Sequence, residues 1–471
     1  MKNEKLDYEI GREDIPLLEL NNIFVGNLVW INKGIHNDIA TFDLVVREMP
    51  KKWNFYVFYG LKRFINIILN YNFSEDDVKI LKEMNLINST ATESFYKKFK
   101  FTGDVWAMKD GTIFFPSEPI VRITAPVCEA NIFTSLVLNA FGYPTRLLTK
   151  SLRVKLAIRD TVFIGGSIVR LPGFEQGVIS QEIGYILNSP NVSPFFYKRF
   201  SKYQKPTGKY SININHAFIK SFKTERSAYR YALDVLVSNA SLMTVMTDTY
   251  NFEKGLDIFI EEIKKTKNKS SVDPKKFFIC IDSGDLLKRS FYARKVLDKN
   301  NLVKVGIQVM SSLDEYKIDQ MIKEKAPINI YTAATEVINI SDNPSFEAVY
   351  KMAELRKKDG TIEQKAKLTK GKESYPGRKQ IFRRYKDGKM IADTIGLDDE
   401  KLGEPLLHKF IKKGKLNLEI SDLNEIKIYI DKELQSLPEK YKRIDQSVKY
   451  PVLISGKLGK LLDNVKKKHI I

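Results

Sequence analysis

The chain has 471 residues, with 43% apolar and 28% charged residues, which is ordinary for a globular protein of two or three domains. Only two cysteines occur, Cys128 and Cys280, so a disulfide framework is excluded. The formal net charge is +20, but the lysines are dispersed and no basic-aromatic motif occurs. We therefore expect a generic basic surface without a nucleic-acid partner. The charged N-terminus and the lack of a long apolar run predict a cytoplasmic protein without a membrane contact.

The first part of the chain, residues 12–150, mixes helical and strand patterns. Apolar periodicity predicts a helix over 55–70 that continues over 76–84. Short strands are predicted over 105–108, 112–115 and 120–123. A helix over 129–141 should end at Gly142, because Pro144 follows just beyond.

From about residue 208, apolar strands alternate regularly with polar loops and helices. The predicted order is strand 241–246, helix 253–264, strand 277–281, helix 286–298, strand 303–309, helix 314–323 and strand 328–331. Ser312 and Glu315 have the spacing of a capping box. This alternation indicates a parallel sheet with crossover helices, whose strands end at one edge. Polar residues expected to converge there are His216, Asp248, Asp282, Asp285, Ser311 and Thr335.

The segment 278–285 reads Phe-Ile-Cys-Ile-Asp-Ser-Gly-Asp. Its apolar residues bring Asp282 to the end of a strand, where a carboxylate can hold ribose hydroxyls or a magnesium ion. Gly284 permits close approach of a ligand or an unusual backbone angle. Asp285 precedes a helix, so it is either an N-cap or a ligand-binding residue.

His216 is one of four histidines and follows an alternation of isoleucine and asparagine over 211–215. A lone histidine is more often structural than catalytic, and the local pattern leaves both interpretations open.

The last part of the chain, residues 350–471, is rich in lysine, with strands predicted over 365–368, 380–385 and 390–395. Pro376 and Gly377 predict a tight turn that presents Arg378 and Lys379. These side chains suit a carboxylate or phosphate, and a solvated basic hairpin is the alternative. The predicted domains are an N-terminal α+β domain (1–150), a barrel-like catalytic domain (151–345) and a C-terminal accessory region (346–471).

Several segments, in order along the chain, resemble nicotinate phosphoribosyltransferases over roughly residues 20–395. They are 101–105, 115–119, 126–139, 248–250, 282–285, 313–316, 349–351 and 376–380. The resemblance implies an α/β fold of the type II phosphoribosyltransferase kind: an irregular α/β barrel with a flanking α+β domain, on which a C-terminal accessory region packs.

The resemblance also implies an activity. Family members transfer phosphoribosyl from phosphoribosyl pyrophosphate to nicotinate and form nicotinate mononucleotide for NAD salvage. ATP hydrolysis drives the transfer through a phosphohistidine, Mg²⁺ is the metal, and two subunits of a homodimer share each site. His216 matches the phosphorylated histidine, because the family's Gly-Thr-x-Ala-His-Ser motif runs onto residues from Ile212 to Phe222.

Two groups of site residues follow from the resemblance. The catalytic residues are His216, Asp282 and Asp285, with Asp282 as a magnesium ligand. The substrate- and phosphate-binding residues are Lys150, Asp248, Ser311, Ser312, Thr335, Arg378 and Lys379.

The sequence departs from the family pattern at several places. The early Thr-Asp-x-Tyr falls on 25–30, where Trp30 is the remaining aromatic residue, and the arginine pair falls near 167–169, with Arg170 out of register. Met310 replaces a serine, and the Gly-x-Gly-Thr phosphate loop is Thr-Ala-Ala-Thr over 332–335. Two alternatives therefore stay open: a relative without catalysis that acts as a binding or structural protein, and a transferase for another acceptor base such as nicotinamide.

Overall fold

The structure is a computed structural model that describes residues 18–159, 161–165, 168–189, 192–199, 210–236, 240–267 and 273–469. The chain divides into two compact units. The first unit combines the chain up to Thr149 with the chain from Ser345 onward, and the second is Lys150–Pro344. Among the described residues, no helix is long and apolar enough to cross a membrane.

The N-terminal part of the first unit contains short strands and helices. The strands are β1 (Ile39–Val46), β2 (Tyr56–Val57), β3 (Asp104–Ala107), β4 (Ile113–Phe114) and β5 (Pro119–Pro126). The helices are α1 (Gly26–Asn32), α2 (Leu61–Asn70), α3 (Glu75–Glu83), α4 (Thr90–Lys97), α5 (Val127–Ile132) and α6 (Thr134–Ile158), after a π-helical turn over Leu20–Val25.

A parallel sheet forms the centre of the second unit. Its strands are β6 (Val162–Ile164), β7 (Tyr210–Ile214), β8 (Ala240–Met246), β9 (Phe277–Ile281), β10 (Gly306–Val309) and β11 (Ile330–Thr332). The helices are α7 (Phe174–Ile186), α8 (Pro194–Arg199), α9 (His216–Lys220), α10 (Glu225–Tyr231), α11 (Phe252–Lys267), α12 (Leu286–Lys299), α13 (Glu315–Lys323) and α14 (Thr335–Ile338), with a π-helical turn over Ala232–Leu236 and a 3-10 turn over Pro274–Lys276.

The sheet order within the described residues is β6-β11-β10-β9-β8-β7, and every neighbouring pair is parallel. It curls into a half-barrel. Four of the five side chains of β9 are buried, as expected for a strand covered on both faces. Helices α11, α12 and α13 each follow a strand, so the carboxyl ends of β8, β9 and β10 lie at one edge.

The C-terminal part of the first unit is mostly antiparallel. Its strands are β12 (Ala348–Arg356), β13 (Ile362–Gln364), β14 (Lys379–Lys386), β15 (Lys389–Leu397), β16 (Glu404–Pro405), β17 (His408–Lys412), β18 (Lys415–Leu416) and β19 (Val452–Ile454). The helices are α15 (Leu423–Ser436), α16 (Glu439–Lys442) and α17 (Gly456–His469). The sheet orders are β13-β12-β1-β5-β3-β17-β18 and β16-β14-β15-β19, and β2 pairs with β4.

Two smaller sequence expectations are wrong. Residues 365–368 form no strand, because β13 ends at Gln364, where its pairing with β12 ends. Ser312 is not a helix cap. The side chain of Asp314 accepts a hydrogen bond from the backbone N–H of Lys317 and caps α13 instead.

The helices around Gly60 also differ from the sequence expectation. The predicted helix over 55–70 begins only at Leu61, because residues 56–57 form β2 and Gly60 has φ +124°. The predicted stop at Gly142 is wrong, since α6 continues through Pro144. A Cβ on Gly60 would lie 2.4 Å from the Ala140 carbonyl oxygen, the group that Pro144 leaves without a helical N–H donor. The close packing of Gly60 against the backbone of α6 therefore outweighs the local stop signal of Gly142 and Pro144.

Gly60→Ala is expected to lower the free energy of unfolding of the first unit by more than Gly360→Ala. Both glycines have positive φ, but only the Cβ at position 60 meets a backbone atom, whereas position 360 is open. The conformational cost is about 1 kcal/mol at either site, and the steric overlap adds to it at position 60. Urea unfolding followed by tryptophan fluorescence measures both variants, because the three tryptophans lie in the first unit. Equal losses would contradict the packing argument.

Candidate active site

His216 lies at the carboxyl end of β7, as the first residue of α9. Its Nδ1 is 3.0 Å from Thr249 Oγ1, in the loop after β8. Its Nε2 is 3.6 Å from Asp282 Oδ2 and 4.0 Å from Asp248 Oδ1. The ring is 35% exposed, so a ligand can reach it. The structure thus brings together three predicted site residues, from the ends of three adjacent strands.

Asp248 links the loops that follow β8 and β9. Its Oδ2 accepts the backbone N–H of Asp282 at 3.0 Å and the hydroxyl of Ser283 at 2.6 Å. Its Oδ1 is buried and accepts no hydrogen bond from the described residues. Burial, and then the charge of Asp248, raise the pKa of Asp282, while His216 and Arg170 oppose the rise. The paired carboxylates therefore concentrate negative charge beside the imidazole.

Asp248 and Asp282 are the side chains at this site that could bind a magnesium ion. Among the described residues, no group of three or more histidine, cysteine, aspartate or glutamate side chains could hold a metal. Mg²⁺ is usually bound by one or two carboxylates together with substrate phosphates and water. Asp282 and the unpartnered Oδ1 of Asp248 fit that requirement. The magnesium role of Asp282 stays a prediction.

Asp285 acts as the N-cap of α12. Its side chain accepts the backbone N–H of Lys288 at 3.0 Å, and its Oδ2 lies 3.3 Å from Lys288 Nζ. The structure therefore shows the capping role of Asp285, and its catalytic role stays a prediction.

Three further predicted phosphate-binding residues follow β10 and β11. Ser311 and Ser312 are exposed and have φ +99° and +45°, and the Ser312 carbonyl accepts a hydrogen bond from Lys317 Nζ. Thr335 is the half-buried first residue of α14. All three lie near the carboxyl ends of strands in the same sheet, and their contacts with substrate stay predictions.

Lys150 is a buried ion-pair residue of the second unit. Its Nζ lies 2.6 Å from Glu315 Oε2 and 2.7 Å from Asp342 Oδ1. Arg153 Nε donates to the other oxygen of Glu315 at 2.9 Å. These contacts give Lys150 a structural role at the start of α13, and its predicted contact with substrate stays untested.

Arg378 and Lys379 belong to the first unit, unlike the other predicted site residues. Arg378 is exposed, and its Nε lies 3.6 Å from Asp398. The expectation that the Pro-Gly turn presents both side chains is wrong for Lys379. Because β14 begins there, the side chain turns inward, pairs with Asp43 at 2.7 Å and donates to the Tyr375 carbonyl. Burial lowers the pKa of Lys379.

Comparison with known proteins finds two domain models and several relatives that share one name. Residues 24–141 match the model of the nicotinate phosphoribosyltransferase (NAPRTase) N-terminal domain, and residues 402–462 match its C-terminal domain. A nicotinate phosphoribosyltransferase of Mycobacterium tuberculosis is 28% identical over 443 residues, covering 93% of this chain and 91% of that protein. The Bacillus subtilis enzyme of that name is 28% identical over 483 residues, with 96% and 95% covered. These matches support membership of the nicotinate phosphoribosyltransferase family.

Two solved structures share the fold of this chain. The crystal structure of human nicotinic acid phosphoribosyltransferase aligns with a TM-score of 0.75 at 18% identity, covering 95% of this chain and 100% of that one. Nicotinate-nucleotide pyrophosphorylase from Pyrococcus furiosus aligns with a TM-score of 0.65 at 18% identity, covering 93% and 99%. The predicted α/β fold is therefore confirmed.

Sequence reasoning missed three residues of this site. Thr249 and Ser283 lie in segments that carried the resemblance, but their hydroxyls had no assigned partner. Arg289 NH1 donates to the Ser283 carbonyl oxygen at 2.7 Å. The sequence did carry a signal for Arg289. It follows the cap Asp285 by four residues, and this spacing places its side chain over the first turn of α12.

Asp282→Asn is expected to raise the melting temperature of the second unit near pH 7. Because the pKa of Asp282 is raised, its ionised form costs stability above that pKa. The gain should shrink as the pH falls through the folded-state pKa, and vanish below the ordinary value of 3.8. Asp285→Asn is the control of opposite sign, since the backbone N–H of Lys288 lowers the pKa of Asp285. Calorimetry measures both, and equal signs near pH 7 would contradict the argument.

Proposed function

We propose that this chain is a nicotinate phosphoribosyltransferase. It would transfer the phosphoribosyl group of phosphoribosyl pyrophosphate to the ring nitrogen of nicotinate, forming nicotinate mononucleotide and pyrophosphate in NAD salvage. The observation that carries the proposal is His216, with one ring nitrogen anchored by Thr249 and the other facing Asp282 and Asp248. Family membership supports the same reaction.

His216 is the proposed acceptor of the γ-phosphoryl group of ATP. In the tautomer whose Nδ1–H donates to Thr249 Oγ1, the lone pair of Nε2 is directed toward the two carboxylates and is available to attack phosphorus. The Nε2–P bond forms as the bond to ADP breaks, and water later cleaves the phosphohistidine to release phosphate. Carboxylates at 3.6 and 4.0 Å repel a phosphoryl group there, which favours that hydrolysis.

Asp282 has two proposed tasks. It would stabilise the positive charge that develops on the ribose as pyrophosphate leaves. Together with Asp248, it would also hold Mg²⁺, which neutralises charge on the pyrophosphate. A homodimer and a cytoplasmic location are part of the proposal, on the strength of the resemblance and of the composition.

One assay tests the proposal directly. The purified protein is incubated with phosphoribosyl pyrophosphate, ATP and Mg²⁺, and with nicotinate or nicotinamide in parallel reactions. We expect nicotinate mononucleotide, formed faster with ATP than without it. Product from nicotinamide alone would assign the other acceptor base, and no product from either base would favour a relative without catalysis.

A further inference from the structure

Arg289 connects two consecutive strand–helix segments beside the site. Its NH1 donates to the Ser283 carbonyl oxygen at 2.7 Å and to Ser283 Oγ at 2.9 Å. Its guanidinium carbon lies 4.9 Å from the centre of the Phe252 ring, at the start of α11. The guanidinium thus holds the loop after β9 against the first turns of α11 and α12.

The loop backbone is in close contact with this guanidinium. Gly284 has φ +72°, and a Cβ there would lie 2.6 Å from Arg289 Cζ. The positive φ favours glycine here, and a Cβ would also displace the guanidinium from its present position. The loop and Arg289 constrain each other.

The hydroxyl of Ser283 connects Arg289 to Asp248 by hydrogen bonds. It accepts from Arg289 and donates to Asp248 Oδ2 at 2.6 Å. A cation that donates to a hydroxyl polarises it and strengthens the hydrogen bond that this hydroxyl donates. We infer that Arg289 is a positioning residue, which fixes Ser283 and through it the orientation of Asp248 toward His216. The inference rests on the proposed function, because the orientation of Asp248 affects a rate only if the proposed reaction takes place at this site.

Steady-state kinetics of three variants test the inference. Arg289→Met is expected to lower kcat by about 10- to 100-fold, because a misplaced carboxylate disturbs the reacting geometry. KM for nicotinate should change by about twofold or less, because the proposed role of Asp248 concerns His216, Mg²⁺ and the phosphates. Arg289→Lys, which keeps the charge and one donor, should recover part of kcat. Lys295→Met removes an exposed charge from the same helix and should match wild type. Wild-type kcat in Arg289→Met would overturn the inference.

A double-mutant cycle tests whether Arg289 acts through Ser283. If it does, Ser283→Ala combined with Arg289→Met should be no slower than the slower single variant. Losses that multiply would mean that Arg289 acts elsewhere, and would overturn the inference.

Hydrogen exchange separates this inference from the proposed function. The backbone N–H of Asp282 is held by Asp248 Oδ2, so a peptide covering 277–286 should exchange faster in Arg289→Met but not in Lys295→Met. If wild type forms no product, the proposed function fails and this measurement still judges the contact network. Unchanged exchange in Arg289→Met would overturn the inference.

Discussion

His216→Ala is expected to abolish the ATP-dependent part of nicotinate mononucleotide formation, a loss of about 100-fold or more. Alanine removes the only proposed phosphoryl acceptor, while Asp282 and Asp248 remain in place to bind substrate. The residual rate should equal that of wild type without ATP. The measurement is the rate of product formation with and without ATP, at saturating nicotinate and phosphoribosyl pyrophosphate.

The same variant should lose covalent labelling. Wild type incubated with ATP labelled in the γ-phosphoryl group should carry an acid-labile, base-stable label, as expected for phosphohistidine. His469→Ala is the matched control, because His469 is exposed at the end of α17 and belongs to the other unit. A label that persists in His216→Ala would move the acceptor to another residue and contradict the assignment.

The centre of the site could be anticipated from sequence because it depends on local rules. Continuous apolar strands such as β9 must be buried in a parallel sheet, and the chain leaves each strand at the same edge. His216, Asp248 and Asp282 were therefore predicted to converge at one edge of the sheet, and both carboxylates lie within 4.0 Å of His216 Nε2.

The roles of the basic residues could not be anticipated in the same way. A lysine is available to bind substrate only if no carboxylate of the protein pairs with it, and the pairing carboxylates come from distant parts of the chain. Lys150 is paired with Asp342, 192 residues away, and Lys379 is paired with Asp43. The continuation of α6 through Pro144 could not be predicted for the same reason, because the packing of Gly60 against α6 is a tertiary contact.

Arg383→Met is expected to lower the free energy of unfolding of the first unit by about 3–5 kcal/mol. The guanidinium is fully buried and donates from Nε and NH2 to Asp393, from NH1 to Glu433 at 2.9 Å, and from NH2 to the Ile113 carbonyl at 2.7 Å. Methionine fills the volume but leaves two buried carboxylates without their cation. The loss is therefore the cost of an unpaired charge rather than of a cavity.

The pH dependence distinguishes this cause from a packing defect. Burial already raises the pKa of Glu433, and Arg383 opposes that rise, so the variant should raise it further. When the folded-state pKa of a carboxyl is raised, the protein loses stability as the pH rises toward that pKa. The loss of unfolding free energy in Arg383→Met should therefore be larger near pH 8 than near pH 5. Urea unfolding followed by fluorescence reports this unit, which holds the three tryptophans. Arg384→Met, at the adjacent exposed position of β14, should unfold like wild type, and equal losses in both variants would contradict the role of the buried ion pairs.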